Sequence, residues 1–232
     1  MNPEYLVLGG LLWRLWRKKT VLWYTHKNVD LKLRVATALA DEIATASKES
    51  FRLRSRKVHV VGHGIDTDFF APGEPGKRGS AVLSVGRLSK SKRHDLAIEA
   101  AALAGRELRI IGDGPERKNL ELLAQKLHAS VRFLGGLGQA ALREEYRTAA
   151  YLIHTSETGS MDKVVLEALA CGLPVVSTSE VYKTLPVRIV PATPQDVAAA
   201  LDLPGEAGGA AAVRAQYSLP ALISRVLALY RT

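Results

Sequence analysis

Cysteine, aromatic residues and metal-ligand spacings are scarce in this chain. Its one cysteine among 232 residues, Cys171, excludes an internal disulfide and a zinc site built from several cysteines. We interpret Cys171, within ALACGLP, as a small buried residue near a helix end. Aromatic residues make up 6% and are not interleaved with the basic ones, which argues against nucleic-acid binding by base stacking. With no Walker loop, serine elbow or metal-ligand spacing, we expect no bound metal.

A long apolar run is also missing. The segment YLVLGGLLWRLW is shorter than the roughly 20 residues that a membrane span needs. Arg17, Lys18 and Lys19 follow it, whereas a signal peptide carries its positive charge before the apolar run, so we expect a cytoplasmic protein. The segment predicts a short helix with Trp13 and Trp16 on or near its apolar side. Two interpretations stay open, a helix packed on a sheet and a peripheral contact with the cytoplasmic membrane surface.

The composition is otherwise that of a folded domain with an excess of basic over acidic residues. Hydrophobic residues make up 47% and charged residues 24%, enough for a core and ordinary for a soluble protein. The formal net charge is +9 and the isoelectric point about 9.7. This balance points to partners that carry phosphate, of which a nucleotide ligand or an anionic lipid fits better than nucleic acid.

Strands and helices alternate from about Ser80 onward. Each predicted strand is followed by a predicted helix of about a dozen residues, which is typical of a doubly wound parallel sheet. The predicted strands are AVLSV, ELRII, SVRFL, YLIH, PVVST and VRIV, and the predicted helices are Arg93–Ala104, Glu116–His128, Gln139–Ala149 and Asp162 or Lys163 to Ala170. We expect Gly105 to end its helix in a left-handed conformation. The tail from Thr193 is predicted to be helical, with breaks near Leu203 to Gly209 and near Pro220.

The first part of the chain has a less regular pattern. TVLWYTH, DEIATAS and KVHVVGHGID predict strands, Leu31 to Ala40 predicts a helix, and Ser50 to Arg56 predicts a short helix or turn. The stretch from Phe69 to Ser80 is rich in proline and glycine and reads as a connector. We therefore predict a boundary at about Asp66, with domains at 1–66 and 67–232.

Glycines recur where the predicted strands end. Gly86, Gly112 and Gly135 follow three strands, and Gly159 lies a few residues beyond a fourth. An open parallel sheet binds its ligand at the carboxyl ends of the strands. Glycine has no Cβ, so backbone N–H groups at these positions could approach an anionic ligand closely.

Two cations flank the loop VGRLSKSK. Arg87 follows a strand directly, and Lys92 lies near the start of the next helix. Fixed cations beside a helix N-terminus suit a diphosphate, and they would stabilise the charge that grows on a phosphate leaving group. The alternative is that both are solvated members of a basic run that includes Lys90 and Arg93.

Three further residues could carry chemistry. Glu167 lies among apolar neighbours in VVLEALACG, where a pair of ribose hydroxyls would satisfy its carboxylate, although a glutamate on the rim of the helix stays open. For Asp162 we favour a helix N-cap over a ligand contact. His26 closes the predicted strand VLWYTH and is either a structural hydrogen-bonding group or a catalyst.

These motifs resemble a known family. VLSVGRLSKSKRHDLAIEAAA, IIGDGPE, VRFLGG and LEALACGLPVVST resemble, in that order, the nucleotide-sugar half of family-4 retaining glycosyltransferases with the GT-B fold. The match runs from about Ser80 to Thr178. VLWYTH and VVGHGID resemble the end of the family's first domain and the entry to its second, which extends the coverage to about Val21.

The resemblance implies roles for individual residues. Arg87 and Lys92 would hold the diphosphate of a UDP- or GDP-linked sugar, Glu167 would hold the ribose, and His26 would lie by the reacting centre. The donor contacts that it implies are Gly86, Gly112, Phe133, Leu134, Gly159, Ser160, Met161, Leu166 and Glu167. The acceptor, a glycan or a lipid-linked molecule, is not specified.

Two departures from the family pattern shape the hypotheses. Many members carry a second glutamate eight positions before the one at 167, where this chain has Gly159, so Glu157 or Asp162 could substitute. The chain also begins near the last third of the family's first domain, which implies a truncated N-terminal α/β remnant. We therefore keep two hypotheses, a glycosyltransferase and a donor-binding module that is inactive until a partner chain supplies the acceptor half. An epimerase acting on nucleotide sugars is a third and weaker one.

Overall fold

A computed structural model describes residues 3–26, 28–74 and 76–231, and their contacts divide into two units. The first unit combines Met1–Gly64 with Gln216–Thr232, and the second is Ile65–Ala215. The predicted boundary at about Asp66 lies two residues after this division. The predicted second domain, 67–232, differs from the second unit by also including Gln216–Thr232. Parts of the predicted segments, at Met1, Asn2, Lys27, Pro75 and Thr232, lie outside the described residues.

The first unit is built on a small parallel sheet. Its elements before the second unit are α1 (Pro3–Leu15), β1 (Val21–Trp23), α2 (Leu31–Leu39), β2 (Glu42–Thr45) and β3 (Val58–Val60), with a 3-10 turn at Lys48–Ser50. The strands pair in the order β1-β2-β3, with Val21 opposite Glu42 and Ile43 opposite Val58. Helix α2 begins where predicted, because the Asp30 carboxylate accepts a hydrogen bond from the backbone N–H of Leu33 at 2.7 Å.

All three strands of this unit are shorter than predicted, and β2 covers only Glu42–Thr45 of DEIATAS. β1 ends at Trp23, so His26 lies three residues beyond the strand instead of closing it. β3 ends at Val60, and Gly62 then adopts φ +77°, a left-handed backbone that does not continue a strand.

The second unit is a parallel sheet with helices packed on it. Its elements are β4 (Val82–Val85), α3 (His94–Leu103), β5 (Leu108–Ile111), α4 (Arg117–Lys126), β6 (Val131–Gly135), α5 (Gln139–Thr148), β7 (Tyr151–His154), α6 (Lys163–Ala170), β8 (Val175–Ser177), β9 (Arg188–Ile189), α7 (Pro194–Ala200) and α8 (Gly209–Tyr217), the last of which runs just past its end. The strand order β6-β5-β4-β7-β8-β9 is doubly wound, as predicted. Gly105 has φ +61°, which confirms the predicted left-handed helix end.

Apolar side chains of both layers form the core of this unit. Val82, Leu108 and Ile110 of the sheet pack with Ala97 and Ala101 of α3, all at most 1% exposed. Cys171 is fully buried after the end of α6, which confirms its interpretation as a core residue. Burial raises the pKa of its thiol to about 12, so it stays protonated and unreactive at neutral pH.

One arginine of the connector binds the ends of two helices. The Arg78 guanidinium donates to the carbonyl oxygens of Tyr146, Ala149 and Cys171, each at 3.0 Å. These carbonyls lie at the C-terminal ends of α5 and α6, where backbone acceptors have no partner within the helix. Arg78 therefore joins the chain entering β4 to helices formed much later in the sequence.

The chain ends with α9 (Leu219–Arg231), which belongs to the first unit. Pro220 lies in the first turn of α9, where its missing N–H costs nothing. The break that was predicted near Pro220 therefore falls at Ser218, before the helix begins. Leu229 packs with Val21 of β1, Ala44 of β2 and Val61. Within the described residues, none of the helices combines the length and apolar character needed to cross a bilayer.

Candidate functional site

The chemistry-bearing side chains of the second unit gather at one edge of its sheet. Strands β4, β7 and β8 are neighbours in the sheet, and their carboxyl ends therefore lie side by side. The segments that follow β4 and β7 carry Lys92 and Asp162. This is the edge at which open parallel sheets bind ligands.

Hydrogen bonds join the segment after β4 to the segment after β7. The Thr155 hydroxyl donates to the carbonyl oxygens of Lys92 at 3.0 Å and Arg93 at 2.7 Å. The backbone N–H of Glu157 donates to the carbonyl oxygen of Ser91 at 2.9 Å, and the Glu157 carboxylate accepts from the Arg93 guanidinium at 2.5 Å. Arg93 holds φ +51°, which is uncommon for a residue with a side chain and is stabilised here by these contacts. The two segments thus form one connected surface.

Four side chains form what we call the Lys92 cluster: Lys92, His154, Asp162 and Tyr182. The Asp162 carboxylate lies 2.5 Å from Lys92 Nζ and 3.0 Å from His154 Nε2. The backbone N–H of Asp162 donates to the Tyr182 hydroxyl oxygen at 2.7 Å, and His154 Nδ1 lies 3.1 Å from the Ser177 hydroxyl. The cluster fixes the Lys92 ammonium above the ends of β7 and β8.

Electrostatics keep Asp162 ionised. Burial alone would raise the pKa of its carboxyl group, but hydrogen bonds from His154 and Lys92 outweigh burial and lower the pKa to about 2. Asp162 occupies the N-cap position of α6, yet its side chain makes no capping hydrogen bond there. The prediction that Asp162 is the N-cap of α6 is confirmed for its position, but the capping hydrogen bond is absent because its carboxylate binds Lys92 and His154 instead.

Arg87 differs from Lys92 in having no carboxylate partner among the residues that the structure describes. It is exposed immediately after Gly86, and no ion pair to its guanidinium occurs among residues 3–26, 28–74 and 76–231. A guanidinium in this state can bind an incoming anion without first breaking an internal ion pair. To bind the same anion, Lys92 would have to release Asp162 or contact Asp162 and the anion together.

The strand-end glycines serve the sheet itself. The N–H of Gly86 donates to the carbonyl oxygen of Ile111 at 2.9 Å, and the N–H of Gly112 donates to that of Gly135 at 2.8 Å. Both amides are therefore already bonded, contrary to the expectation that they face a ligand. A Cβ on Gly112 would lie 2.0 Å from the Gly86 carbonyl oxygen, so the absence of a side chain permits two backbones to approach.

Glu167 lies on α6 but is directed at a neighbouring helix. It is half-buried, and the Tyr146 hydroxyl of α5 donates to its carboxylate at 3.4 Å. Burial raises the pKa of Glu167. No ion pair joins it to Arg87 or Lys92 within the described part of the chain. Leu166 is fully buried, so its side chain has no exposed surface for the donor contact that the resemblance implies.

The remaining predicted contacts lie at the ends of β6 and β7. Phe133 is partly buried against the core, and the Arg117 guanidinium lies 5.4 Å from its ring centre, while Leu134 is half-buried. Gly159 is exposed with φ +65°, and a Cβ added to it would meet nothing within 4 Å. Ser160 bonds Thr158 at 3.1 Å, and Met161 is half-buried. The Gly159–Met161 loop thus remains open to a ligand.

His26 belongs to the first unit and is exposed. Its ring packs edge-on against Tyr24, with ring centres 5.6 Å apart. It is not a member of the Lys92 cluster, and its predicted role stays a prediction.

Three polar residues of the site are not among those predicted from sequence. His154 and Tyr182 belong to the Lys92 cluster, and the only sequence signal for His154 is a polar residue ending the strand YLIH. His94 is 3% exposed, and its Nδ1 lies 2.8 Å from the Ser84 hydroxyl. Its Nε2 has no hydrogen-bond partner among the described residues, and burial lowers the pKa of the imidazole to about 4. His94 is therefore neutral at physiological pH.

Known proteins resemble the chain over much of its length. It is 26% identical over 189 residues to the sulfoquinovosyl transferase SQD2 of Arabidopsis thaliana, covering 75% of this chain and 36% of that protein. It is 34% identical over 149 residues to the D-inositol 3-phosphate glycosyltransferase of Frankia alni, covering 53% of this chain and 36% of that protein. The chain spans a little over a third of the length of these curated relatives.

A solved structure shows the same fold. The structure of Anabaena Alr3699/HepE in complex with UDP and glucose matches with a TM-score of 0.80 at 18% identity, over 100% of this chain and 76% of that one. This match, with the parallel sheets, confirms the predicted α/β fold of the GT-B type. The family described as Glycosyl transferases group 1 matches residues 65–187, more than half of the chain and nearly all of the sheet that carries the Lys92 cluster. The chain therefore belongs to the Glycosyl transferases group 1 family.

Proposed function

We propose that this chain binds the donor of a family-4 retaining glycosyltransferase, which moves a sugar from a nucleoside-diphosphate sugar to a glycan or a lipid-linked acceptor without a metal ion. In this assignment residues 67–215 of the predicted 67–232 are the donor-binding domain, and residues 1–66 are the end of the acceptor-side domain. The observation that carries the proposal is the arrangement of cations at the carboxyl edge of the second sheet. There an exposed Arg87 guanidinium, which forms no ion pair within the described part of the chain, follows β4, and an anchored Lys92 ammonium lies five residues on.

Transfer breaks the bond between the anomeric carbon and a diphosphate oxygen, and negative charge then accumulates on the diphosphate. Arg87 is free to form charge-assisted hydrogen bonds to that anion, which are about twice as strong as neutral ones. Lys92 would bind the same anion with an ammonium that it shares with Asp162, whose contacts to Lys92 and His154 set the position of that ammonium. Arg87, together with the anchored Lys92, would supply part of the charge neutralisation that a metal ion provides in other enzymes.

The rest of the donor follows from the resemblance. Glu167 would bind the ribose, the backbone at Gly112 and Phe133–Leu134 would frame the base, and the Gly159–Met161 loop would face the sugar. Glu167 can reach a ribose only if its carboxylate leaves Tyr146 or accepts both hydroxyls beside it. The UDP and glucose in the Anabaena structure support a UDP-linked hexose as the first donor to test. GDP-linked sugars are the second.

Titration of nucleotides into matched variants tests the proposal. We expect UDP or GDP to bind the chain, and Lys92→Ala and Arg87→Ala each to weaken binding by about 2–5 kcal/mol, roughly 30-fold to several thousand-fold. Lys90→Ala is the matched control, because Lys90 is an exposed cation of the same 3-10 turn as Lys92. Titrations that are unchanged in both site variants would contradict the assignment.

Turnover tests the chemistry separately. With a panel of donors and acceptors, we expect a product whose anomeric configuration matches the donor, formed equally well in the presence of a chelator. We further expect His26→Ala to lower turnover by about 10²-fold or more, the usual range for a lost acid–base group, while nucleotide binding stays the same. Inverted product, or activity lost with the chelator, would exclude the retaining or metal-independent part.

We propose as the second function a module that uses the same donor site. The chain would then be a donor-binding module that needs another chain to supply the acceptor half. It would bind the nucleotide as strongly as in the first case, but form product only after the partner is added. Normal transfer by the isolated chain would exclude this alternative.

A further inference from the structure

The outer side of α1 carries an exposed row of leucines. Leu8, Leu11, Leu12 and Leu15 are 83%, 65%, 52% and 77% exposed. Their spacing of three, four and seven residues from Leu8 places them on one face of the helix, which we call the leucine stripe. Trp16, 65% exposed, follows at its end.

The opposite side of the same helix is already used for packing. Leu6 is 1% exposed and lies in a cluster with Leu22 and Leu33. Gly10 lies so close to Leu39 of α2 that a Cβ would stand 3.1 Å from its side chain. A helix with an apolar face on both sides needs an apolar environment on the second side as well, because surface helices normally present polar residues to water.

Cations collect at the C-terminal end of the leucine stripe. Arg14, Arg17 and Lys18 are exposed, and no ion pair to any of them occurs in the described ranges. The one carboxylate of the helix, on Glu4, is compensated by Lys32 Nζ at 2.6 Å. The end of the helix is thus positively charged.

These cations border a cavity of about 590 Å³. Its other charged lining residues are Lys19, Lys57, Asp41 and Glu42. The Asp41 carboxylate accepts from the N–H and hydroxyl of Thr20 at 2.8 and 2.9 Å, and Glu42 binds His59 at 2.7 Å. Both acidic groups are therefore engaged within the protein, and the cavity presents a net positive lining to an anion.

We infer that α1 and the basic residues after it dock the protein on the surface of an anionic bilayer. The leucine stripe would enter the boundary between headgroups and acyl chains, as amphipathic interfacial helices do. Trp16 suits the same boundary, where an aromatic ring meets both apolar and polar surroundings. Arg14, Arg17 and Lys18 would bind lipid phosphate, and the cavity beside them would admit a headgroup. We choose an anionic bilayer over a neutral apolar partner because a neutral partner would give the three cations no opposite charge to bind.

Vesicle sedimentation of the full chain tests the inference. We expect it to bind phosphatidylcholine vesicles that contain phosphatidylglycerol, and to bind pure phosphatidylcholine far more weakly. Arg14→Gln/Arg17→Gln/Lys18→Gln should lower the partition coefficient on the order of 100-fold, because each of the three cations contributes a similar share of the electrostatic attraction to the anionic surface. Leu8→Gln/Leu15→Gln should lower it at least about 10-fold, because the apolar insertion is lost.

Matched controls separate docking from folding and from charge alone. Arg52→Gln/Arg54→Gln/Arg56→Gln removes three other exposed cations of the first unit, and Leu103→Gln/Leu122→Gln removes two exposed leucines elsewhere. Both should bind vesicles as the parent does, and all variants should keep its thermal unfolding. Absence of binding to the anionic vesicles, or equal loss in test and control variants, would overturn the inference. So would a dimer in light scattering that the leucine variant converts to a monomer, because a second copy would then cover the stripe.

Discussion

The two units cover their sheets from different stretches of the chain. In the second unit, sheet and helices all come from one continuous segment, Ile65–Ala215. In the first unit, α1 and α2 pack with Leu22 and Ile43, while Val21 and Ala44 pack with Leu229 of α9 from the far end of the chain. The second unit should therefore depend on close local packing, and the first on contacts between the two ends of the sequence.

The tightest local packing in the second unit is the crossing of Gly86 and Gly112. Gly112→Ala places a methyl group 2.0 Å from a backbone oxygen at φ +135°, and backbone atoms cannot move aside as a side chain can. We expect a loss of about 4 kcal/mol or more in the free energy of unfolding, the range of the most severe substitutions. Denaturant titration measures it.

Gly138→Ala is the control for this substitution. Gly138 is the N-cap of α5, with φ −68° and nothing within 4 Å of a Cβ, so the change should cost at most about 1 kcal/mol, the typical cost of an alanine N-cap. In hydrogen exchange, Gly112→Ala should expose amides of β4 and β5 before those of β1 and β2. Similar losses for both glycine variants would show that the crossing is not tight.

Buried His94 gives the second unit a pH dependence. Its folded pKa of about 4 lies below the usual value of 6.5, so the unfolded chain binds the proton first. The stabilising effect is complete above pH 6.5 and is lost as the pH falls toward 4, a decrease of about 3 kcal/mol in the free energy of unfolding between pH 7 and 4.

His94→Asn checks this pH dependence. Asparagine keeps a polar group near Ser84 but does not titrate, so the variant is expected to be less stable at pH 7 and less sensitive to pH. Denaturant titrations at pH 7, 5.5 and 4 compare the two slopes. Parallel curves would show that other groups cause the acid sensitivity.

The first unit can be weakened from the far end of the chain. Leu229→Ala removes a side chain that is 7% exposed and packs with β1 and β2. We expect the free energy of unfolding to fall by about 2 kcal/mol, the lower limit for a buried leucine. Leu227→Ala, 50% exposed on the same helix, is the control and should change little.

Hydrogen exchange locates the effect of Leu229→Ala. Amides of β1 and β2 should exchange faster, while those of β4 and β5 keep their protection. Equal acceleration in both sheets would mean that the two units unfold together, which would remove the distinction between them.

The fold of the second unit was predictable because local sequence patterns specify its strands and helices. The alternation of apolar strands and helices from Ser80 specified the second sheet, and Gly105 marked a helix end. The return of α9 to the first sheet was not predictable, since an amphipathic helix shows that it packs but not on what. Predicted strands were too long where Gly62 turned the backbone.

The site was predictable only in part, for a similar reason. Lys92 stands out by its spacing after a strand, but its partner Asp162 is 70 residues away and meets it only because β4 and β7 are neighbours. The amides of Gly86 and Gly112 looked available in the sequence and are bonded in the sheet. Which carbonyl accepts which amide depends on register, which residue types alone do not encode.

The bond from Arg78 to Cys171 has a consequence for the order in which the protein forms. The two residues are 93 positions apart, and at synthesis rates of about 5–20 residues per second the arginine emerges roughly 5–20 s before its last acceptor. During that interval the nascent connector has no partner at the end of α6. The segment before β4 is therefore secured only once most of the second unit has left the ribosome, which leaves it accessible to chaperones until then.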